Sequence, residues 1–208
     1  MELEILLSFV VATAALAISP GPDNIYVLLQ SMTHGRSYGL ATVGGLISGC
    51  IVHTTLVAFG ISAIIRANDT LFFILKLLGA LYLFYLAYQV FKHSAALDLN
   101  GENIQKKTHW GLFKQGVLMN VLNPKVSIFF LAFFPSFLFS QTISHVTQFY
   151  VLGFLFMFVS LIIFSTIAIL AGRIADYTKG HEKVGLFFKW LQITVFLGIG
   201  LFILLSEK

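Results

Sequence analysis

The chain has 208 residues, 58% hydrophobic and 11% charged, with a mean hydropathy of +0.90; a soluble domain carries roughly 25% charged residues, so lipid is the solvent here. A formal net charge of +4 would suit nucleic acid in a soluble protein, but the basic residues stand in short stretches between apolar runs and report topology, not a nucleic-acid partner. The one cysteine, Cys50, lies inside an apolar run, which excludes an intramolecular disulfide, a cysteine metal cluster and a dithiol relay.

A membrane-crossing helix needs about 20 apolar residues, and the stretches free of Asp, Glu, Lys and Arg place the elements in order. The first span is predicted over residues 4–29. Its flank carries Glu2 and Glu4 and neither Lys nor Arg, so it reads as a span, not as a cleaved signal. Inside it stands Ser19-Pro20-Gly21-Pro22-Asp23-Asn24; each proline removes a backbone donor and displaces the carbonyl four residues earlier, so the helix must break. Span two, residues 40–64, carries His53 in its middle, either a proton relay or substrate ligand, or, the reading preferred here, a histidine satisfied by a neighbouring helix. Gly44, Gly45, Ser48 and Gly49 place small residues four apart, which predicts close helix packing, with a homodimer face as the lesser reading.

Span three covers residues 70–91, and the polar stretch from about 92 to 111 reads as a solvated connector. Span four, residues 112–139, contains Asn120-Val121-Leu122-Asn123-Pro124-Lys125, where Pro124 frees the carbonyl of Asn120 and breaks the helix again. Phe129, Phe130, Phe133, Phe134 and Phe137 read as lipid-facing or interhelical bulk, with an aromatic gate as the minority reading. The charge-free run Val126 to Gly172 is 47 residues long, too long for one span. It must fold back at the polar stretch Ser140 to His145, which gives span five at 147–172. Span six follows at 184–205. The fold class is therefore all-α, a polytopic membrane protein of six transmembrane helices, since lipid offers no partners to free backbone and the alternating ten-residue segments of a membrane barrel do not occur.

The loops after spans one, three and five hold Arg36, Lys92, Lys106, Lys107, Lys114, Arg173, Lys179 and Lys183, against Arg66 and Lys208 on the other side. That asymmetry places the basic loops in the cytoplasm and both termini outside. Lys76 and Lys189, near span ends, are expected to snorkel, with Trp110 and Trp190 at the interface.

The chain reads as one transporter domain, residues 1–208, made of two inverted three-helix repeats at about 1–95 and 108–208. Pro22 and Pro124 stand at matching places, and Arg66 before Asp69 is matched by Arg173 before Asp176. Paired interruptions in equivalent spans point to a transporter's binding site.

Helix-break residues Pro20, Gly21, Pro22 and Pro124, with Asp23 and Asn123 to Lys125, carry a resemblance to the LysE/RhtB family of amino-acid exporters. In that family the first span bears Pro-Gly-Pro-Asp and the fourth Asn-Pro-Lys, here Pro20 to Asp23 and Asn123 to Lys125. Length, layout and both motifs agree across essentially the whole chain. The resemblance implies efflux of amino acids or close derivatives from a bacterial cell across its inner membrane, driven by proton exchange, with no cofactor.

Physical reasoning selects the same residues. A charge at mid-bilayer costs about 2.5 to 3.5 kcal/mol on insertion scales, so Asp23 and Lys125 should face a cavity or each other. An amino acid needs an anionic partner for its ammonium and a cationic one for its carboxylate, and Asp23, Asn24, Asn120, Asn123 and Lys125 are the candidate substrate and translocation residues. Asp23 and His53 are the candidates for proton transfer. A purely structural account competes: Asp23 as a first-turn acid after Pro22, and Asn123 as an N-cap before Pro124. Lys125 does not fit it, since a cation in a first turn opposes the dipole.

Two alternatives remain open. A metal or other cation carrier would use the Asp23, Asn24, Asn120 and Asn123 oxygens, but Lys125 would repel its cargo. An intramembrane enzyme or scaffold lacks support, because Ser-x-x-Lys, His-Glu-x-x-His and Walker motifs are missing and the six histidines show no metal-ligand spacing. The chain reads as neither an enzyme nor a metal protein.

Overall fold

The computed structural model describes residues 2–63, 69–92, 107–179 and 182–205. Every regular element among them is helical: α1 (Glu2–Ile18), α2 (Pro22–His34), α3 (Arg36–Leu56, continued by a π turn Val57–Ile61), α4 (Asp69–Lys92), α5 (His109–Leu122), α6 (Pro124–Ile128), α7 (His145–Lys179) and α8 (Glu182–Leu205). After α6 the chain tightens through a π turn, Phe129–Phe133, and a 3-10 turn, Phe134–Phe137.

Four continuous helices have the length and apolarity of a span, and the number reaches six if each of two bent pairs counts as one: α1 with α2, bent by 58°, and α5 with α6 and its following turns, bent by 52°. The predicted fold-back at Ser140 to His145 is present, with bends before α7 starts at His145. Helix ends run past the predicted ones. α2 continues to His34 and α7 to Lys179, because apolar runs mark the hydrocarbon slab and not the point where a helix gives up its backbone hydrogen bonds. At 35 residues, α7 is about 52 Å long, well beyond a hydrocarbon core of about 30 Å. Where residues 30–39 read as a loop, α2 and α3 are separated by Gly35 alone, with φ 100° and ψ 159°, a conformation essentially reserved for glycine.

Span two packs most extensively on α5 through its small residues. A Cβ on Gly45 would strike the Phe113 carbonyl oxygen, one on Gly116 would strike the Thr42 carbonyl oxygen, and one on Gly49 would stand 2.8 Å from the Asn120 side chain. The small-residue stripe is thus filled within the chain, and that close approach brings Asn120 beside span two.

The five phenylalanines from Phe129 to Phe137 are buried, so their lipid-facing reading is corrected and the interhelical one stands. Phe130 stacks on Phe134 at 4.1 Å, Phe129 on Phe133 at 4.4 Å, and Phe9 of α1 meets Phe134 edge-on at 5.0 Å. Hydropathy cannot separate the two faces when lipid and core are equally apolar. Lys76 is likewise buried, its ammonium over the Phe72 ring at 5.8 Å. Arg66 and most of the connector from 92 to 111 lie outside the described residues, as do the side chains of Asp69 and Asp176, so the Arg-to-Asp match between the halves has no structural counterpart to describe.

Candidate functional site

Pro20 and Pro22 lack amide hydrogens, so the carbonyls of Leu16 and Ile18 lose the partners that a continuing helix would give them. α1 ends there, Gly21 is extended, and Pro22 opens α2 as its first residue with Asp23 in the first turn. The second break follows the same plan. Asn123 ends α5 and caps α6, its side chain accepting the Lys125 amide at 3.0 Å, with Pro124 as the first residue. The local, structural account of Asp23 and Asn123 is therefore present in the fold.

The two breaks are also joined to each other. Asn123 Nδ2 donates to Asp23 Oδ2 at 2.8 Å. Lys125 Nζ crosses the other way and donates to the carbonyls of Leu16 at 3.2 Å and Ser19 at 3.1 Å. Asn24 Nδ2 donates to the Ala17 carbonyl at 2.7 Å. A cation is favoured at a helix C-terminus, so Lys125, badly placed in the first turn of its own helix, is well placed at the end of α1. No direct ion pair joins Asp23 and Lys125 among the described residues; Asn123 links them instead, its amide nitrogen on Asp23 Oδ2 and its oxygen on the Lys125 backbone amide.

His53 is buried, and its Nε2 lies 3.1 Å from the Asn120 carbonyl, which loses the donor that residue 124 would give it and also accepts the Asn123 amide at 3.1 Å. A carbonyl only accepts, so Nε2 carries the hydrogen. His53 thus satisfies one break from span two, its ring 5.3 Å from that of Phe130.

Asp23, Asn24, Asn120, Asn123 and Lys125 line one pocket together with Gly21. Its free space is on the order of one water molecule, too little for an amino acid without some opening. Span five supplies wall residues that the sequence reading missed: Phe156, Ser160 and Phe164. Their spacing of four puts them on one face of α7, a pattern visible in the sequence but indistinguishable there from the other apolar faces of the same helix. The described residues hold no group of three or more His, Cys, Asp or Glu placed to share a metal ion.

Comparison with known proteins adds an independent line. A model of the LysE type translocator family matches residues 14–207. A homoserine/homoserine lactone efflux protein of Salmonella typhimurium (strain LT2) is 31% identical over 184 residues, 88% of each chain, and one of Salmonella typhi is 32% identical over the same extent. An uncharacterized membrane protein of Vibrio cholerae is 27% identical over 179 residues, 86% of each chain. No solved structure matches the chain.

Proposed function

The chain belongs to the LysE type translocator family, and from that premise we propose that it moves a small amino acid or a close derivative out of the cell. One observation carries this reading: a single pocket is lined by an acid from one helix break and a lysine from the other, Asp23 and Lys125, within largely apolar walls. A zwitterion needs that pair of charges, and burial strengthens both contacts by excluding water. The names of the two Salmonella relatives make homoserine and its lactone the first compounds to try.

The mechanism follows from the contacts that join the two breaks. Lys125 occupies the Leu16 and Ser19 carbonyls, which would equally receive a substrate ammonium. As substrate enters, its ammonium takes those carbonyls and Asp23, and Lys125 turns to its carboxylate. The link between the two breaks then loosens, and the two halves move against each other about the site. Pro22 and Pro124, each the first residue of a restarted helix, support the reading of residues 1–95 and 108–208 as inverted repeats of one domain. Protons drive the exchange, with Asp23 as the exchanging group and His53 as the second candidate. The chain sits in the cytoplasmic membrane with both termini outside, which the distribution of Lys and Arg supports.

The test is release from preloaded vesicles of defined orientation containing the purified chain, across neutral and basic amino acids and homoserine lactone, with and without an imposed proton gradient. Substrate-selective release that collapses with the gradient supports the reading. Release of none of them, with cation release in its place, would return the cation-carrier alternative.

A further inference from the structure

Two residues of the pocket wall each carry a buried side-chain oxygen without a hydrogen-bond partner among the described residues. Asn120 Oδ1 and Ser160 Oγ belong to side chains 3% and 1% exposed and have no hydrogen-bond partner among the described residues. Both residues line the pocket that Asp23 and Lys125 line. A hydroxyl in a membrane helix ordinarily turns back to the carbonyl four residues earlier, as Ser48 does to Gly44 and Thr54 to Cys50, each at 2.8 Å. Ser160 does not. An unpaired buried polar atom costs more than an ordinary hydrogen bond contributes, so two in one pocket call for a partner that arrives from outside the chain.

We propose that Asn120 and Ser160 form a specificity subsite for a neutral, hydroxyl-bearing side chain on the transported amino acid. The substrate hydroxyl donates to Asn120 Oδ1 and accepts from the Ser160 hydroxyl, using both capacities of one oxygen. A methyl in the same place leaves both wall atoms unpaired. A side-chain carboxylate sets acceptor against acceptor at Asn120. Phe156 and Phe164, one turn to either side of Ser160 and also in the pocket wall, supply apolar surface for the methylenes that carry the hydroxyl. The inference rests on the amino-acid-carrier reading above and adds to it the residues that choose the cargo.

The experiment compares homoserine with norvaline, in which a methyl replaces the hydroxyl, as each is released from vesicles containing the full chain. Ser160→Ala is the test variant and Asn120→Leu the second. Ser62→Ala is the control, because Ser62 Oγ is also buried without a partner among the described residues but lies outside this pocket. The wild-type chain should prefer homoserine. Ser160→Ala should lower the homoserine-to-norvaline ratio about tenfold, the worth of one buried hydrogen bond left unmade, chiefly by slowing homoserine. Ser62→Ala should leave the ratio unchanged. A wild-type chain that releases both equally, or an unchanged ratio in both Ser160→Ala and Asn120→Leu, overturns the subsite while the carrier reading stands. Release of no amino acid by the wild-type chain overturns both.

Discussion

Lys125 donates to the Leu16 carbonyl at 3.2 Å, and Leu16 is the residue whose helical partner Pro20 removes. The same relation holds at the other break, where His53 meets the Asn120 carbonyl freed by Pro124 at 3.1 Å. Pro20 and Pro124 each withdraw a helical donor from a carbonyl that then receives a side chain from another span, the Asn120 carbonyl also keeping the Asn123 amide at 3.1 Å. The two breaks are not independent local kinks, because moving α1 away from α6 must first release Lys125.

Lys125→Met removes the donor and leaves the Leu16 and Ser19 carbonyls without it. Transport should fall by about tenfold or more, the worth of a hydrogen bond to a charged group, at membrane levels near wild type. Quantitative blotting alongside efflux separates the two; undiminished efflux removes Lys125 from the site.

Asp23→Asn keeps an oxygen for Asn123 Nδ2 and discards only the charge, whereas Asp23→Ala discards the acceptor as well. The first should melt close to wild type yet lose transport. The second should lose about 1 to 3 kcal/mol of stability. Thermal melts in detergent check the pair, and full transport by Asp23→Asn means that Asp23 serves only to hold Asn123.

His53 is positioned as a donor to a freed carbonyl. His53→Gln, which retains an N–H of similar reach, should keep most activity and the same pH profile, while His53→Phe should cost about 0.5 to 1.5 kcal/mol, because the Asn120 carbonyl keeps the Asn123 amide. A shifted pH profile in His53→Gln would instead assign the histidine to proton transfer.

Gly116→Ala should separate span two from α5, because its Cβ would strike backbone at Thr42, whereas Gly198→Ala meets nothing within 4 Å. Folded yield should drop for the first and hold for the second. Gly35→Ala has space around it too, yet its φ of 100° predicts a loss of about 1 to 3 kcal/mol from backbone strain alone.

The all-helical membrane fold, the two broken helices and five of the pocket's polar residues, Asp23, Asn24, Asn120, Asn123 and Lys125, were legible in the sequence, because proline, charge and length act locally and lipid punishes exceptions. Asn123 as cap and Asp23 as first-turn acid were legible for the same reason. The destination of Lys125 was not: its local position opposed the dipole, and only the fold brings it to the end of α1. Nor was the inward face of Phe129 to Phe137, since transfer from lipid to protein interior leaves no hydropathy signal. Ser160 stayed hidden because one hydroxyl on a long apolar helix ordinarily bonds its own backbone.

The most direct test of the site is side-by-side release of labelled homoserine from oriented vesicles holding equal amounts of wild-type, Asp23→Asn and Lys125→Met protein, under a proton gradient that would drive exchange. The account predicts release well above protein-free vesicles for the wild type and near background for both variants. Wild-type-like release from both variants would contradict it.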